Sequence, residues 1–418
     1  MLLEVKIKNF FSFAEEQVFS MIPNNDLKKH KDVLLRDKKK PLALPVVAIY
    51  GANASGKSNF VRIFNFLFTL LTIEPSAGIL NSQYFLYDKK YKDKPTEITI
   101  SYYISGYVYA YLVKVKGQYI VSELLTREDS SENKTIIFSR NGNIQDGQGY
   151  IYDYDFIEDL KKEDRYIEVL KKLTLPEKTM FSTLVNNNND NTDYIRDIKD
   201  FYIKLISGYF NNAISLAKYS ISFDRFEKDE KFMNKVNKLI QAIDVNISSV
   251  KVKKEAVRNP NIGFSNTQSY IPRFVFLNGE VELRPELMQV SIGTQVAFNM
   301  FLVIIQVLEN GYLLVIDELE NSLHPHVVEL IIQIFYNKKI NKNNAQLIFT
   351  THDTSLLNQG LFRKDQIYFV EKDYKQASKI FSIDDINNTD KDNFASEYLT
   401  GRYGAIPNIK DIEDIFDE

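Results

Sequence analysis

The stretch that decides the fold is Gly51-Ala52-Asn53-Ala54-Ser55-Gly56-Lys57-Ser58. It matches the pattern G-x-x-x-x-G-K-[ST] at every fixed position. A continuous apolar run at residues 46–50 precedes it, and an apolar-periodic segment at residues 57–71 follows. These patterns predict a buried strand, a glycine-rich turn and a helix. In that context, successive backbone N–H groups and the positive end of the helix can surround a phosphate group.

The polar positions of this phosphate loop have expected roles. We expect the Lys57 ammonium to reach the β- and γ-phosphates of ATP, and the Ser58 hydroxyl to ligate Mg²⁺. The other predicted nucleotide-binding positions are Gly51, Asn53, Ala54, Ser55, Gly56 and Asn59. The alternative, a chance match in a glycine-containing turn, is disfavoured because a strand precedes the motif and a helix follows it.

Two later apolar strands end in side chains suited to acid–base chemistry. Residues 313–316 lead into Asp317 and Glu318, and residues 347–350 lead towards His352. Open α/β sheets bind ligands at the carboxyl ends of their strands. We therefore expect Asp317 to hold Mg²⁺ through water and Glu318 to act as the general base on the attacking water. We interpret His352 as a sensor of the γ-phosphate, with a purely structural histidine as the alternative.

The segment Val290-Ser291-Ile292-Gly293-Thr294-Gln295 precedes an apolar helix predicted over residues 296–308. In order and spacing with the other motifs, it resembles the signature of the ABC ATPase superfamily, specifically of the SMC/RecF-like branch. In that branch, a Ser-x-Gly motif at a helix N-terminus contacts the γ-phosphate of ATP held by the other protomer. The resemblance implies this role for Ser291 and Gly293, and an ATP-sandwiched homodimer. The alternative for Ser291 is a simple helix N-cap.

The resemblance also has gaps and extensions. Ile292 separates Ser291 from Gly293, unlike the familiar Leu-Ser-Gly-Gly, and the Q-loop is marked only by the candidate Gln83. Long coiled-coil heptads are missing. Residues 7–13 look like the opening strand and turn of such heads, and residues 320–325 look like the dimer-contacting D-loop.

A narrower resemblance is to the compact bacterial AAA-family ATP-binding proteins of the RloA and AbiL kind. It is carried by Gly-Arg-Tyr-Gly-Ala-Ile-Pro at residues 401–407 and by Ala-Ile-Asp-Val-Asn-Ile at residues 242–247. Such proteins are associated with phage defence by abortive infection. They often act beside a separately encoded effector, such as a nuclease, which the resemblance implies as a partner of this chain.

The expected fold class is α/β, an ABC-type P-loop NTPase head with a mostly parallel sheet flanked by helices, an antiparallel β lobe and a helical insertion. Alternating residues at 99–104 and 107–116, joined by Ser105-Gly106, predict a hairpin in the lobe. The strands assigned to the returning parallel sheet are residues 274–277, 312–316, 347–350 and 366–370. The predicted units are 1–148 (N-terminal part of the head), 149–245 (helical insertion) and 246–418 (C-terminal part of the head).

Composition excludes several function classes. The chain has 418 residues and no cysteine, so disulfides, thiolate zinc sites and cysteine nucleophiles are excluded. The net charge of −3 argues against a protein that coats nucleic acid, although residues 27–40 form a basic, loop-like segment. Neither a signal peptide nor an uninterrupted apolar run of about 18 residues is evident, so we expect a cytoplasmic protein without a membrane span.

Several acidic and histidine-rich stretches receive plainer interpretations. His324-Pro325-His326 lies where the D-loop is expected, which disfavours a metal pair. Asp384-Asp385 is interpreted as a solvated turn, and no nuclease motif follows His352. The acidic tail at residues 411–418 is interpreted as a surface helix or a docking element.

Three functions are consistent with these motifs. The first is a dimeric ATPase switch, which assembles into a dimer or a higher oligomer, senses infection and controls a separate effector. The second is a RecF-like DNA repair ATPase, for which the segment 28–40 is the only local support. The third is a scaffold that binds ATP without hydrolysing it, against which the intact Glu318 counts.

Overall fold

The computed structural model describes residues 1–24, 28–37, 40–72, 83–145, 149–161, 164–187, 193–207, 209–212, 225–258, 266–277, 279–283, 290–358, 360–386 and 393–406. Its strands are β1 (Leu2–Lys8), β2 (Gln17–Ser20), β3 (Leu35–Asp37), β4 (Lys40–Ala43), β5 (Val46–Tyr50), β6 (Thr96–Ile104), β7 (Tyr107–Lys116), β8 (Tyr119–Glu128), β9 (Lys134–Gln145), β10 (Gly149–Phe156), β11 (Tyr209–Asn212), β12 (Ile247–Arg258), β13 (Asn266–Phe276), β14 (Gly279–Leu283), β15 (Leu313–Asp317), β16 (Gln346–Thr350), β17 (Ile367–Lys372) and β18 (Ser378–Ser382). Its helices include α1 (Lys57–Thr72), α2 (Glu158–Lys161), α3 (Asp164–Leu173), α4 (Met180–Asn187), α5 (Asp193–Ile206), α6 (Glu230–Ile243), α7 (Ile292–Asn310), α8 (Pro325–Tyr336), α9 (Ser355–Asn358) and α10 (Phe394–Leu399).

A six-stranded sheet carries the predicted motifs. Its order is β11-β15-β16-β5-β17-β18, and all neighbours pair in parallel except β17 and β18. Every residue of β5 and β16 is buried, as expected for strands covered on both faces. The parallel strands predicted at residues 46–50, 312–316, 347–350 and 366–370 are therefore confirmed within a residue or two.

Alternate side chains of the central strands lie on opposite faces of the sheet and contribute to two separate hydrophobic cores. Val47 and Ile49 join a core with the apolar face of α1 and the inner face of the β lobe. Val46, Ala48 and Tyr50 join a second core with α6, α7 and α8. By length and composition alone, helix α7 could cross a membrane. However, 61% of its apolar stretch is buried inside the protein, as in the core helix of a folded domain.

The β lobe is larger than predicted. It is a seven-stranded antiparallel sheet of order β10-β9-β8-β7-β6-β1-β2, so the N-terminal strand β1 belongs to it. The predicted hairpin is confirmed as β6 and β7. Among the described strands, antiparallel pairing predominates, which corrects the expectation of a mostly parallel sheet accompanied by an antiparallel lobe, because the lobe has more strands than the central sheet.

Residues 274–277 do not belong to the parallel sheet, and that prediction was wrong. Residues 274–276 form the end of β13, which pairs antiparallel with β12 in a separate three-stranded sheet. Phe274 is buried, but Leu277 is 66% exposed. A short apolar run does not reveal which strand it will pair with, because pairing is a tertiary property.

The segment 149–245 is not purely helical. It begins with β10 at the edge of the lobe, contains α2 to α5, and contributes β11 to the edge of the central sheet beside β15. The unit boundaries at 148 and 245 stay predictions.

The basic segment at residues 27–40, predicted as a loop, contains strand β3 and the first residue of β4, with which β3 pairs. The buried Arg363 ties its start to the molecule by donating to the carbonyl oxygens of Lys29 (3.0 Å) and Asn24 (2.7 Å). The acidic tail at residues 411–418 and Pro407 lie outside the described residues.

Candidate nucleotide site

The phosphate loop leaves β5 with a backbone that requires glycine at two positions. Gly51 has φ of +152° and Gly56 has φ of +119°. A Cβ at Gly51 would lie 2.3 Å from the carbonyl oxygen of Val370, and one at Gly56 would lie 2.4 Å from the Ser378 hydroxyl. The loop is thus seated against β17 and β18 with no room for side chains at these positions.

The loop holds its lysine and one hydroxyl inside. Lys57 is only 6% exposed, and its ammonium donates to the carbonyl oxygens of Gly51 (2.8 Å) and Ala52 (3.0 Å). Burial lowers the pKa of Lys57, opposed by the nearby charges of Asp317, Glu318 and Glu320. The Ser55 hydroxyl is buried with no hydrogen-bond partner in the described structure. A buried cation and a free hydroxyl donor are the groups that an oligophosphate would satisfy.

The two carboxylates at the end of β15 are positioned by Thr350, on the neighbouring strand. The Thr350 hydroxyl donates to Asp317 Oδ1 (2.6 Å) and accepts from the backbone N–H of Glu318 (2.8 Å). Glu318 has φ of +54°, a strained conformation for a residue with a side chain. This turn takes Glu318 out of the strand direction and into the cleft above the phosphate loop.

His352 follows β16 and faces the same cleft. Its backbone N–H donates to Glu320 Oε1 at 2.6 Å, which fixes the start of the connection after the strand. Burial, and then the charge of Lys57, hold the pKa of His352 below its ordinary value of 6.5, against the raising influence of Glu320, Glu318 and Asp317. The imidazole is therefore neutral near pH 7, with one ring nitrogen that donates a hydrogen bond and one that accepts.

These residues enclose one cleft of about 240 Å³. Its lining residues are Asn53, Ala54, Ser55, Gly56, Lys57, Ser58, Asn59, Arg62, Glu318, His352 and Lys372. Asp317 is not among them, but it directly precedes Glu318 in the chain and accepts a hydrogen bond from Thr350. The exposed hydroxyl of Ser58 and the carboxylate of Asp317 are hard oxygen donors of the kind that Mg²⁺ prefers.

Sequence reasoning missed three contributors to this cleft. Thr350 ends β16 as Asp317 ends β15, so the parallel register alone could have paired them. Arg62 lies one helical turn after Ser58, which is also a readable spacing. Lys372 is the last residue of β17 and lines the cleft, and no local sequence pattern predicts this position.

Ser291 and Gly293 are not among the residues that line this cleft. Ser291 caps α7, accepting from the backbone N–H of Thr294 at 3.1 Å, and it is exposed. A Cβ at Gly293 would lie 2.6 Å from the carbonyl oxygen of Ser322, so glycine lets α7 approach the segment at residues 320–325. Ile292 between them is 68% exposed. The tip of α7 thus exposes Ser291 outside the lining of the cleft of its own chain.

The other candidate residues from the sequence, Gln83, His324 and Asp384, each make hydrogen bonds that hold the fold together. The backbone carbonyl oxygen of Gln83 accepts a hydrogen bond from the backbone N–H of Phe11 at 2.8 Å. Gln83 also lines a separate cavity of about 200 Å³, together with Arg62. His324 Nδ1 caps α8 by accepting from the backbone N–H of His326. Asp384 accepts from the Asn24 amide at 2.7 Å. The described part of the chain contains no group of three or more histidine and acidic side chains that could hold a metal ion.

The residues that resemble the RloA and AbiL motif pack against the base of the phosphate loop. Tyr398 and Tyr403 stack on Phe369 of β17 at centroid distances of 5.1 and 5.3 Å. A Cβ at Gly404 would lie 2.5 Å from Glu371 Oε2. Ala405 and Ile406 then line a cavity of about 320 Å³ together with residues 52–55 of the loop.

Comparison with known proteins gives a family and a structural likeness. No curated protein matches the chain. The SMC head domain from Thermotoga maritima is similar with a TM-score of 0.41 and 12% sequence identity, covering 91% of this chain and 98% of that chain. Residues 46–358 match the family described as "AAA domain, putative AbiEii toxin, Type IV TA system". That match spans more than half of the chain and includes the phosphate loop, Asp317, Glu318 and His352, so the chain belongs to this AAA-domain family.

Proposed function

We propose that the chain binds and hydrolyses ATP, and that two copies close around two ATP molecules to form a switch. One observation carries this proposal: Glu318 and His352 line the same cleft as the phosphate loop, whereas Ser291 and Gly293 lie outside it at the tip of α7, with Ser291 exposed. The cleft supplies a phosphate cradle, a carboxylate base and a neutral imidazole. Contacts to the outer face of the γ-phosphate would come from Ser291 and Gly293 of the second copy of the chain.

The residues of one chain would divide the work as follows. Backbone N–H groups of residues 52–57, with Lys57 and the Ser55 hydroxyl, bind the phosphates. Ser58 and Asp317 would hold Mg²⁺, which neutralises charge on the phosphate oxygens. Glu318 orients water and takes its proton, and His352 hydrogen-bonds the γ-phosphate oxygen.

The switch follows from where the γ-phosphate would sit. With ATP bound, the γ-phosphate joins the cleft of one chain to the positive N-terminal end of α7 in the mate. Hydrolysis removes that shared ligand, so the free energy that favours the closed dimer is lost and the dimer opens.

We further propose that this switch serves bacterial defence against phage in the cytoplasm, through a separately encoded effector. The family description names a toxin of a Type IV toxin–antitoxin system, which supports a setting of this kind. No cluster of nuclease-type carboxylates is found among the described residues after His352, so a separate effector is the simpler arrangement.

Two variants test the nucleotide chemistry. Lys57→Ala should weaken ATP binding by about 10- to 100-fold, because a buried charge-assisted contact is worth about 1.5–3 kcal/mol. Glu318→Gln should bind ATP normally, slow hydrolysis by about 100-fold or more, and accumulate an ATP-dependent dimer. Binding is measured with a fluorescent ATP analogue, turnover by phosphate release, and dimers by light scattering.

Lys90→Ala is the matched control, since Lys90 is exposed, forms an ion pair with Asp88 and does not line the cleft. Parental hydrolysis by Glu318→Gln would show that Glu318 is not the general base. Hydrolysis that depends on added DNA and falls steeply with salt would favour the RecF-like alternative.

A further inference from the structure

An apolar groove lies at the opposite end of the molecule from the nucleotide cleft. It has a volume of about 470 Å³ and runs between α6, the C-terminal end of α7, and the end of α8 with the loop that follows it. Its lining residues are Lys235, Lys238, Leu239, Ile305, Leu308, Glu309, Ile334, Lys339, Ile340, Lys342 and Asn343. We refer to it as the lysine-rimmed groove.

The floor of this groove is apolar and partly accessible. Ile305, Leu308 and Ile334 are only 5–6% exposed and form the base, whereas Ile340 at the edge is 48% exposed. Covering apolar surface of this kind with a partner is favourable by about 25 cal/mol per Å² of apolar area buried.

The rim of the groove carries lysines, most of which have no acidic partner among the described residues. At one end, Lys235 donates to Glu309 at 2.6 Å. Lys238, Lys339 and Lys342 are exposed, and the described structure gives none of them an acidic partner. The groove therefore suits an acidic segment whose apolar side chains recur on one face of a helix.

The sequence of the chain itself contains such a segment. Residues 411–418 read Asp-Ile-Glu-Asp-Ile-Phe-Asp-Glu. Ile412, Ile415 and Phe416 stand at i, i+3 and i+4, the spacing of one helical face. The other five positions are all acidic. Three apolar anchors and a ring of carboxylates complement the floor and the rim.

The position of the groove determines which copy supplies the segment. Ile406 lies beside residues 52–55, after the carboxyl end of β5, whereas Leu308 and Asn343 precede the amino ends of β15 and β16. Those ends are separated by at least a five-residue strand, about 17 Å, and by one strand spacing to β16 or two to β15, about 5–10 Å. The link from Ile406 to Ile412 spans at most about 20 Å when fully extended. The link would therefore have to be almost fully extended to seat the segment in its own groove, which favours a groove on a second copy.

We propose that the lysine-rimmed groove binds the acidic segment 411–418 of a second copy of this chain. The contact uses neither the nucleotide cleft nor the tip of α7. It therefore links copies without ATP and can join ATP-closed dimers into larger assemblies. Because the groove and the tail are different surfaces, the contact is heterologous unless two chains exchange tails reciprocally.

Cysteine crosslinking tests the proposal directly, because the chain contains no cysteine of its own. In the Lys57→Ala background without nucleotide, one chain carries Ile340→Cys and a second, differently tagged chain carries Ile415→Cys. Mild oxidation of the mixture should link the two tags by a disulfide. Tyr374→Cys in place of Ile340→Cys is the control for random collision, since Tyr374 is 86% exposed and outside the groove.

Two outcomes would overturn the proposal. One is a mixed product no more abundant than with Tyr374→Cys. The other is a bond that forms only within one chain when both cysteines are on the same molecule. Since the nucleotide site is disabled in every arm, failure here leaves the ATPase proposal untouched, and failure of the ATPase proposal leaves this one untouched.

A charge reversal provides a second test that does not depend on cysteine placement. Lys339→Glu with Lys342→Glu should abolish nucleotide-independent self-association in sedimentation velocity, while the ATPase rate stays unchanged. Adding Asp411→Lys and Asp414→Lys to the same chain should restore association, and Lys89→Glu with Lys92→Glu should leave it unchanged. Association that survives the groove reversal, or that the tail reversal fails to restore, would contradict the assignment.

Discussion

Single residues around the cleft carry features that are unfavourable in isolation. Glu318 has a positive φ, the Ser55 hydroxyl is buried without a partner, and Lys57 is buried with its ammonium against carbonyl oxygens. Such strain and unsatisfied polarity concentrate at functional sites, where the surrounding structure holds them and a ligand relieves them. Their convergence within one cleft is the residue-level argument for phosphate binding.

Gly56 allows a direct test of the seating of the loop. Gly56→Ala places a Cβ 2.4 Å from the Ser378 hydroxyl and 2.8 Å from the Ser12 hydroxyl, so the loop must shift. We expect catalytic efficiency for ATP to fall by about 100-fold, the scale of a displacement of about 1 Å at an active site. Steady-state phosphate release measures it.

Gly106→Ala is the matched control for Gly56→Ala. Gly106 also has a positive φ, +96°, but a Cβ there would meet nothing within 4 Å. This variant should lose roughly 1–2 kcal/mol of stability from backbone strain alone and keep its ATPase rate. Equal loss of activity in the two variants would contradict the seating argument.

The pKa of His352 reports on its neighbour Lys57. Burial and the Lys57 charge lower the pKa of His352, so removal of the charge in Lys57→Ala should move this pKa upwards, towards 6.5. Titration of the His352 ring signals by NMR measures both values, and Lys90→Ala should leave them unchanged. An unchanged or lower pKa in Lys57→Ala would mean that the two side chains do not face one another.

At the scale of elements, a buried ion pair fastens α4 to the β lobe. Glu123 of β8 and Arg140 of β9 are both fully buried and lie 3.2 Å apart. Glu123 also accepts from the backbone N–H of Met180 at 2.7 Å, and Arg140 donates to the carbonyl oxygen of Lys178 at 2.6 Å. The pair thereby satisfies the first turn of α4 and the loop before it.

Removing one partner of this pair should destabilise the fold by more than the intact pair contributes to the free energy of unfolding. Arg140→Met leaves the Glu123 carboxylate buried without its cation, so we expect a loss of about 3–5 kcal/mol in the free energy of unfolding. Adding Glu123→Leu should cost less than the sum of the two single variants. Urea unfolding followed by circular dichroism measures these values.

The exposed ion pair of Lys161 with Glu158 is the control for this comparison. Lys161→Ala should change stability by less than about 1 kcal/mol, because solvent screens surface pairs. Strict additivity of the two buried variants would show that Glu123 and Arg140 do not act as a unit.

At the scale of the whole molecule, the proposed dimer predicts that two inactive variants repair one another. Lys57→Ala disables the cleft, and Ser291→Asp keeps an N-cap acceptor on α7 but opposes the γ-phosphate with a negative charge. In a mixed dimer, one site combines an intact cleft with an intact Ser291. Random association should therefore restore about a quarter of the parental ATPase rate.

Two controls accompany the mixing experiment. Ser291→Asn keeps a neutral cap and should retain more activity than Ser291→Asp. Each inactive variant alone, at the same total concentration, should stay inactive. No recovery in the mixture would show that Ser291 acts on the ATP of its own chain, and the sandwich would be wrong.

Local sequence determined the parts of this protein whose physics is local. The loop 51–58, the buried strands around it and the two carboxylates after β15 were readable because glycine conformations, apolar runs and strand ends are short-range properties. The resemblance to ABC/SMC-like heads followed from the order of these motifs along the chain.

The tertiary structure decided the pairing of the strands and the completion of the site. Residues 274–277 read like a core strand but pair in a separate antiparallel sheet, because partner choice depends on contacts distant in sequence. Thr350, Lys372 and the seating of Gly56 against Ser378 join segments far apart in the chain. The outward direction of Ser291 is likewise set by the packing of α7 in the second core, and no periodicity in the sequence could specify it.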